Sequence, residues 1–255
     1  MVQAPSRRDR VRAATIEEIK LTARRLLVDE GPDAVSLRAI GRAMGMTAPA
    51  LYRYFGSRED LIRHVVGDIF TEIADDIHGA IAAAGEASGG DMTAKMIAAC
   101  GEFRRWALAH PPEFGLLFGN PLPGLESVHD PVIDDCAQKF SNEFLGLFYE
   151  LWLKNPFPVP ADDQVEPGLA AQLARFRDTL GVDLPVGAVL TFLRCWVRLY
   201  GMVSLEVFGH LHFALDDPAA LFEYTLAELA GLVGLDYPAS RAPGPGAAGK
   251  APPAG

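Results

Sequence analysis

Apolar residues recur at helical spacing along most of the chain, and the breaks between runs carry glycine, proline and capping residues. Ile16, Ile19, Ala23, Leu26 and Leu27 form one stripe, preceded by the capping-box pattern Thr15-Ile-Glu-Glu18 and stopped by Gly31-Pro32. Together they predict a first helix from Thr15. Ser36 is placed to cap a short second helix with Leu37, Ile40 and Met44 on one face, ended by Gly45. After the tight turn Gly45-Met46-Thr47, Thr47 can cap a third helix. Pro49 is tolerated in its first turn, and Met46 and Leu51 stand at the two positions of a hydrophobic staple. Leu51 and Phe55 face inward. From Ser57 a long helix is predicted, with Leu61, Ile62, Val65, Val66, Ile69, Ile73 and Ile77 on its buried side and fraying near Gly85.

Gly85 to Asp91 reads as a linker. Beyond it, helical patterns recur at about 92–110, 132–153, 166–181, 185–211 and 217–234, and no segment alternates with the period of a strand. The predicted fold is all-α. Pro111-Pro112 and the stretch 119–124 separate helices, and Lys154 to Pro167 is a proline-rich loop. Residues 1–14 hold Arg7, Arg8, Arg10 and Arg12 with little apolar content and are expected to form a mobile basic arm. The Ala-, Gly- and Pro-rich tail after Tyr237 is expected to be disordered. The expected organisation is an arm (1–14), a compact N-terminal domain (15–63), a larger helical domain (64–236) and a tail (237–255).

Composition changes this picture in one respect. The net charge of −10 is an average over unlike parts, for residues 1–63 carry +4 and the remainder −14. A basic end on an acidic body is attracted to phosphate by that end alone. The 255 residues, 49% hydrophobic and 22% charged, suit a folded protein of one large or two unequal domains. Cys100, Cys136 and Cys195 are odd in number and widely spaced, so reduced thiols in a cytoplasmic protein are expected. Val186 to Gly209 is apolar enough to suggest a membrane span. Arg194, Arg198 and Glu206 interrupt it, so a buried or interface helix is expected and no membrane partner. No G-x-S-x-G, H-E-x-x-H, Cys/His quartet or glycine-rich phosphate loop occurs. Neither enzymatic activity nor a cofactor is expected. His210-x-His212 is read as structural or solvated rather than metal-binding.

Two short helices around a glycine-containing turn, with a helix on either side, satisfy the helix-turn-helix plan in which the second short helix enters the major groove. Residues 36–61, from Ser36-Leu-Arg-Ala-Ile-Gly41 through Leu51-Tyr-Arg-Tyr-Phe-Gly-Ser-Arg-Glu-Asp-Leu61, closely resemble the signature of TetR-family regulators. The resemblance covers about residues 12–65. A weaker one lies at Cys195 to Leu211, where Trp196, Gly201, Ser204, Leu205, Glu206 and Gly209 look like the C-terminal domain of a TetR subgroup named for a Trp, a His and a Gly. Tyr200 stands where that His is expected.

The resemblance implies a bacterial homodimer that binds palindromic operator DNA, with repression as the expected mode and a small molecule as effector. Ser36 is counted with the DNA-contacting residues. Tyr52 is expected to offer its hydroxyl to a phosphate, and Arg58, where the family usually has lysine, its charge. Arg38 matches a position from which the family can reach a base, and an arginine there can bond guanine bidentately. Thr47, Ala48, Pro49 and Ala50 form a small leading edge suited to close approach, and Arg53 and Tyr54 complete the exposed face, with packing of Tyr54 beside Phe55 as the alternative for that ring. Arg42 is expected to be merely solvated.

Twelve of the 14 Phe and all three Trp lie between residues 101 and 222, so the aromatic mass belongs to the second domain. Phe103, Trp106, Phe114, Phe118, Phe148, Trp152, Phe192, Trp196 and Tyr200 are the candidates to line a pocket for an apolar or aromatic effector, with plain core as the default for most. The resemblance also implies dimerisation through helices about 185–211 and 217–234, with Leu229 on the buried interface face. A DNA-binding protein without any effector is the alternative reading.

Overall fold

The computed structural model describes residues 6–119 and 131–238; the C-terminal tail expected to be disordered lies almost wholly outside them. Among the described residues the chain is helical and contains no strand. Ten α-helices follow in order: α1 Arg7–Glu30, α2 Leu37–Met44, α3 Ala48–Leu51, α4 Arg58–Ser88, α5 Met92–Ala109, α6 Pro111–Phe118, α7 Pro131–Lys154, α8 Pro167–Leu180, α9 Val186–Val207 and α10 Ala219–Leu232.

The helix starts show which local signals won. α1 begins at Arg7, not at Thr15, so from Arg7 onward the expected mobile arm is helix. Ser6 and Asp9 form the capping box that nucleates it: Ser6 Oγ accepts from the Asp9 amide at 3.2 Å, and Asp9 Oδ2 accepts from the Ser6 amide at 3.2 Å. Arginine is a good helix former, so nothing in Arg7–Arg12 opposes that start. Thr15 instead sits inside the helix, its hydroxyl donating back to the Val11 carbonyl at 2.9 Å. Pro111 and Pro112, expected to separate helices, occupy the first turn of α6, where a missing N–H is no loss. α4 runs on to Ser88, so the expected linker shrinks to Gly89–Asp91. Glu166 caps α8 through the amides of Gly168 and Leu169 at 2.9 and 2.7 Å.

The chain forms two compact units. The first comprises residues up to Asp76 together with Ala109–Asn142, and the second Ile77–Leu108 together with Glu143 onward. The division expected after residue 63 and the one between these units both fall inside α4, an unbroken helix. In the first unit, Ile19, Ala23 and Leu27 of α1, Leu37 and Ile40 of α2, Leu51, Phe55, and Leu61, Val65 and Ile69 of α4 are buried together as its core. All seven apolar positions expected on the inner side of α4 are buried. In the second unit α9 packs against α8 and α10. α9 is long and apolar enough to cross a membrane by length and composition, yet Val186, Ala188, Val189, Leu199, Met202 and Val203 are buried within this unit.

Candidate nucleic-acid interface and apolar cavity

The head of the first unit is set by local chemistry. Ser36 Oγ accepts from the Ala39 amide at 3.1 Å and starts α2. Gly45 ends α2 at φ +66°, a left-handed conformation that glycine adopts without strain. Gly41 allows the close packing of the motif, because a Cβ there would lie 2.8 Å from the Met46 carbonyl oxygen and 3.3 Å from Leu51 Cδ1. With Leu51 and Phe55 buried, the remaining residues of α3 and its following turn are turned outward.

Arg38, Thr47, Pro49, Tyr52 and Arg53 are exposed, and Ala48 and Ala50 half-exposed. Thr47 makes no capping hydrogen bond with its side chain, so its hydroxyl is not used to hold α3. This brings the expected leading edge and phosphate-facing groups onto the surface of one motif. Two of the expected contact residues are also engaged within the protein. Tyr54 is half-buried, with the Arg12 guanidinium over its ring at 5.2 Å, while Arg12 Nη2 also donates to the Arg53 carbonyl at 3.3 Å. Arg58 turns its Nε to the Val35 carbonyl at 2.6 Å, so at least part of its guanidinium braces the loop before α2. In the sequence Arg12 reads only as one of the arginines of the expected basic arm. Its contact with residues 41–42 positions away depends on the helical start of α1 that the sequence reading placed too late.

α1 is tied down by charge as well as by its apolar stripe. Arg24 donates to both oxygens of Glu72 of α4, at 2.5 and 2.9 Å, and to Glu113 of α6 at 3.1 Å. Lys20 bridges Glu17 and Asp68 at 2.8 and 2.7 Å. The Glu72 carboxylate, then burial in the opposite sense, leads the balance that holds the Arg24 guanidinium charged beyond its ordinary range.

The second unit contains a cavity. α5 contributes Thr93, Met96, Ile97 and Cys100; α7 Phe144 and Phe148; α9 Phe192, Cys195, Trp196 and Leu199; α10 Leu226, Leu229 and Ala230, followed by Val233 and Leu235. The centre of a water-sized sphere can move over about 60 Å³ inside it, within about 620 Å³ of atom-free space that includes the solvent-open part. Of the nine aromatic candidates, Phe148, Phe192 and Trp196 line it. Phe103 and Trp106 are wholly buried core. Phe114 and Phe118 belong to the first unit, where Phe118 packs on Phe70, Phe114 and Phe140. Trp152 lies edge-on against Phe157, and Tyr200 stacks on Trp196 at 5.8 Å without reaching the lining. Aliphatic residues supply most of the remaining wall, and periodicity cannot distinguish them from ordinary core.

Leu229, expected on a dimer face, points into the cavity. The outer faces of these helices carry Val197, Leu205 and Phe208 of α9 and its following turn, and Leu221 and Tyr224 of α10, all exposed. Glu206 pairs with Arg104 at 2.5 and 2.7 Å, beneath which Phe222 lies 4.9 Å from the guanidinium, and Arg198 lies 3.5 Å from Glu228. Burial pushes the Cys100 thiol up to about 12 and Cys195 to about 11, so both are neutral lining groups near pH 7. Among the described residues no group of three or more His, Cys, Asp or Glu is placed to hold a metal ion.

Residues 21–65 match the family model for bacterial regulatory proteins of the tetR family, and residues 96–229 match that for the tetracyclin repressor-like C-terminal domain. The chain is 28% identical over 220 residues to the HTH-type transcriptional regulator Rv1816 of Mycobacterium tuberculosis, covering 85% of this chain and 89% of that one. The equivalent regulator Mb1846 of Mycobacterium bovis matches to the same extent. The crystal structure of a regulatory protein, SCO4313, superposes with a TM-score of 0.68 at 31% identity, covering 89% of this chain and 100% of that one. A Rhodococcus sp. RHA1 protein of unknown function shares the fold, with a TM-score of 0.59 at 19% identity over 87% of this chain and 95% of that one. With both matched segments falling on the helices that carry the exposed edge of the helix-turn-helix and the cavity, the chain belongs to the TetR family of bacterial transcriptional regulators.

Proposed function

We propose that the protein is a homodimeric repressor that binds a roughly palindromic operator through α2 and α3 and is released by a small apolar effector held in the second unit. The observation that carries this reading is an apolar cavity in the same chain as a helix-turn-helix whose small leading edge is exposed. Tyr52 and Arg38 are the phosphate and base contacts, with Ser36, Thr47, Ala48, Pro49, Ala50 and Arg53 close to the DNA around them. Tyr54 and Arg58 support that surface from behind. The likeness of Cys195–Leu211 to the Trp-His-Gly subgroup is kept as part of the proposal, with Tyr200 in the place of the His.

Two features support the dimer and its regulation. Val197, Phe208, Leu221 and Tyr224 expose apolar area on the terminal helices, which a two-fold contact would bury. α4 is one unbroken helix, with Arg58–Asp76 in the first unit and Ile77–Ser88 in the second, so a tilt at one end is carried to the other. Two reading heads fit successive major grooves only at about 34–36 Å. An effector that prefers the wrongly spaced state must therefore lower DNA affinity, and DNA must lower effector affinity equally.

An operator selected from random DNA, titrated with and without a compound library, tests this reading. Release of the operator by a cavity-binding compound supports it. Tight ligands that never change operator affinity would leave the alternative, a DNA-binding protein without an effector.

A further inference from the structure

We propose that the cavity of the second unit selects its ligand by charge, admitting uncharged molecules and excluding the same skeleton once it bears a carboxylate or an ammonium group. This rests on the reading of the cavity as a ligand site and specifies the class of molecule it takes.

None of the fifteen lining residues is charged, and the polar side-chain groups among them are the Thr93 hydroxyl, the Trp196 indole N–H and the Cys100 and Cys195 thiols. Thiols that remain protonated offer a weak donor and no counter-charge. The charged groups on the same helices stay outside the lining, although Arg194 and Arg198 act on the Cys195 thiol through space. Lys95 of α5 bonds to Glu150 at 3.3 Å, Arg104 bonds to Glu206, and Arg198 lies 3.5 Å from Glu228. Arg194 is exposed. A ligand carboxylate would thus leave water with neither a guanidinium nor an ammonium group in the wall to meet it, and a ligand ammonium would find no carboxylate. Burying an unpaired ion is strongly unfavourable, whereas burying a neutral ring beside Phe148, Phe192 and Trp196 removes apolar area from water.

The enclosed space is small and opens to solvent, with about 60 Å³ for the centre of a water-sized sphere, so probes of one ring test it with the least rearrangement of the wall.

The test uses the full-length protein and a matched set of probes: methyl benzoate and p-cresol as neutral molecules, benzoate and benzylammonium as ions on the same skeleton. Binding is measured by calorimetry and by tryptophan fluorescence at pH 7, with Ala230→Phe as a variant that fills the cavity. The expected result is at least about tenfold tighter binding of the neutral probes, as unpaired-ion burial predicts, with that binding lost in Ala230→Phe. If Ala230→Phe fails to fold, protection of Cys195 from a neutral thiol reagent by the bound probe locates the site instead. Benzoate or benzylammonium binding as tightly as its neutral partner overturns the charge selection. Failure of all four probes to bind overturns the cavity as a site for ligands of this size. Neutral probes that bind selectively but leave operator affinity unchanged uphold the charge selection and sink only the effector reading.

Discussion

Arg24 Nε in α1 donates to Glu113 Oε1 in α6 at 3.1 Å, joining residues 89 positions apart while the same guanidinium grips Glu72 of α4. Glu113 is almost fully buried, so its charge is tolerable only with this partner. Glu113→Ala is expected to lower stability by about 1–3 kcal/mol, since Arg24 keeps Glu72 but the α6 contact is lost. Urea denaturation measures this. Glu113→Gln, which keeps one hydrogen bond without the charge, should fall between the two. A Glu113→Ala midpoint equal to that of the parent would mean that the pair is not holding α6 to α1.

Arg38 and Tyr52 are both exposed on the head but should fail differently. Arg38→Ala should weaken specific operator binding by about 1–3 kcal/mol and relax sequence preference, as loss of a bidentate base contact does. Tyr52→Phe should weaken operator and scrambled DNA alike, because a phosphate contact carries no sequence information. Titrations on both DNAs over a range of salt separate the two; unchanged discrimination in the Arg38 variant removes its base-reading role.

Val197 is 65% exposed on α9 and makes no contribution to the core, so Val197→Glu should leave the fold intact. In a two-fold contact the change sets two like charges close together. The variant should sediment as a monomer with native circular dichroism and greatly reduced operator affinity. A stable dimer would place the interface elsewhere.

Trp196 lines the cavity whereas Trp152 packs on Phe157 away from it. Ligand binding should therefore perturb fluorescence in Trp152→Phe but lose most of its signal in Trp196→Phe. Trp196→Ala should weaken ligand more than DNA. The opposite pattern would mean that ligands enter by a different site.

The thiols predict a pH response. Burial raises Cys100 to about 12 and Cys195 to about 11, against an ordinary 9.0, so above about pH 9 the unfolded chain releases protons that the native one keeps. Stability from this source is unaffected below pH 9 and falls as pH rises from there toward the folded values. Cys136 and Cys195 are both partly exposed and Cys100 is buried, so at pH 8 a bulky thiol reagent should modify Cys136 first, Cys195 more slowly because burial raises its thiol, and Cys100 last. Rapid loss of all three thiols would contradict the burial of Cys100.

What the sequence determined by itself was local. Ser36, Gly41, Gly45 and Ser57 act within a few residues of themselves, through caps, a left-handed turn and a close approach, and the stripe from Leu61 to Ile77 fixes which side of α4 is buried. The helix-turn-helix could therefore be read directly, and so could the all-helical fold. Where two local signals competed, sequence order misled: Thr15 and Ser6 both offer capping boxes, and only the helix that forms tells which one nucleates. Pro111 and Pro112 do both things expected of such a pair, parting α5 from α6 and opening the first turn of α6.

The tertiary structure decided how the apolar residues of the second unit divide between core and cavity. Phe103, Trp106, Phe148 and Trp196 share the same helical pattern, yet two are sealed in core and two face the cavity. Leu226 and Leu229 follow the stripe expected of an interface and instead close the cavity wall. Periodicity reports which side of a helix avoids water, and an apolar cavity avoids water as completely as packed core does. Only the three-dimensional fit of α5, α7, α9 and α10 leaves space between those side chains, and only that space distinguishes a ligand's surroundings from the protein's own interior.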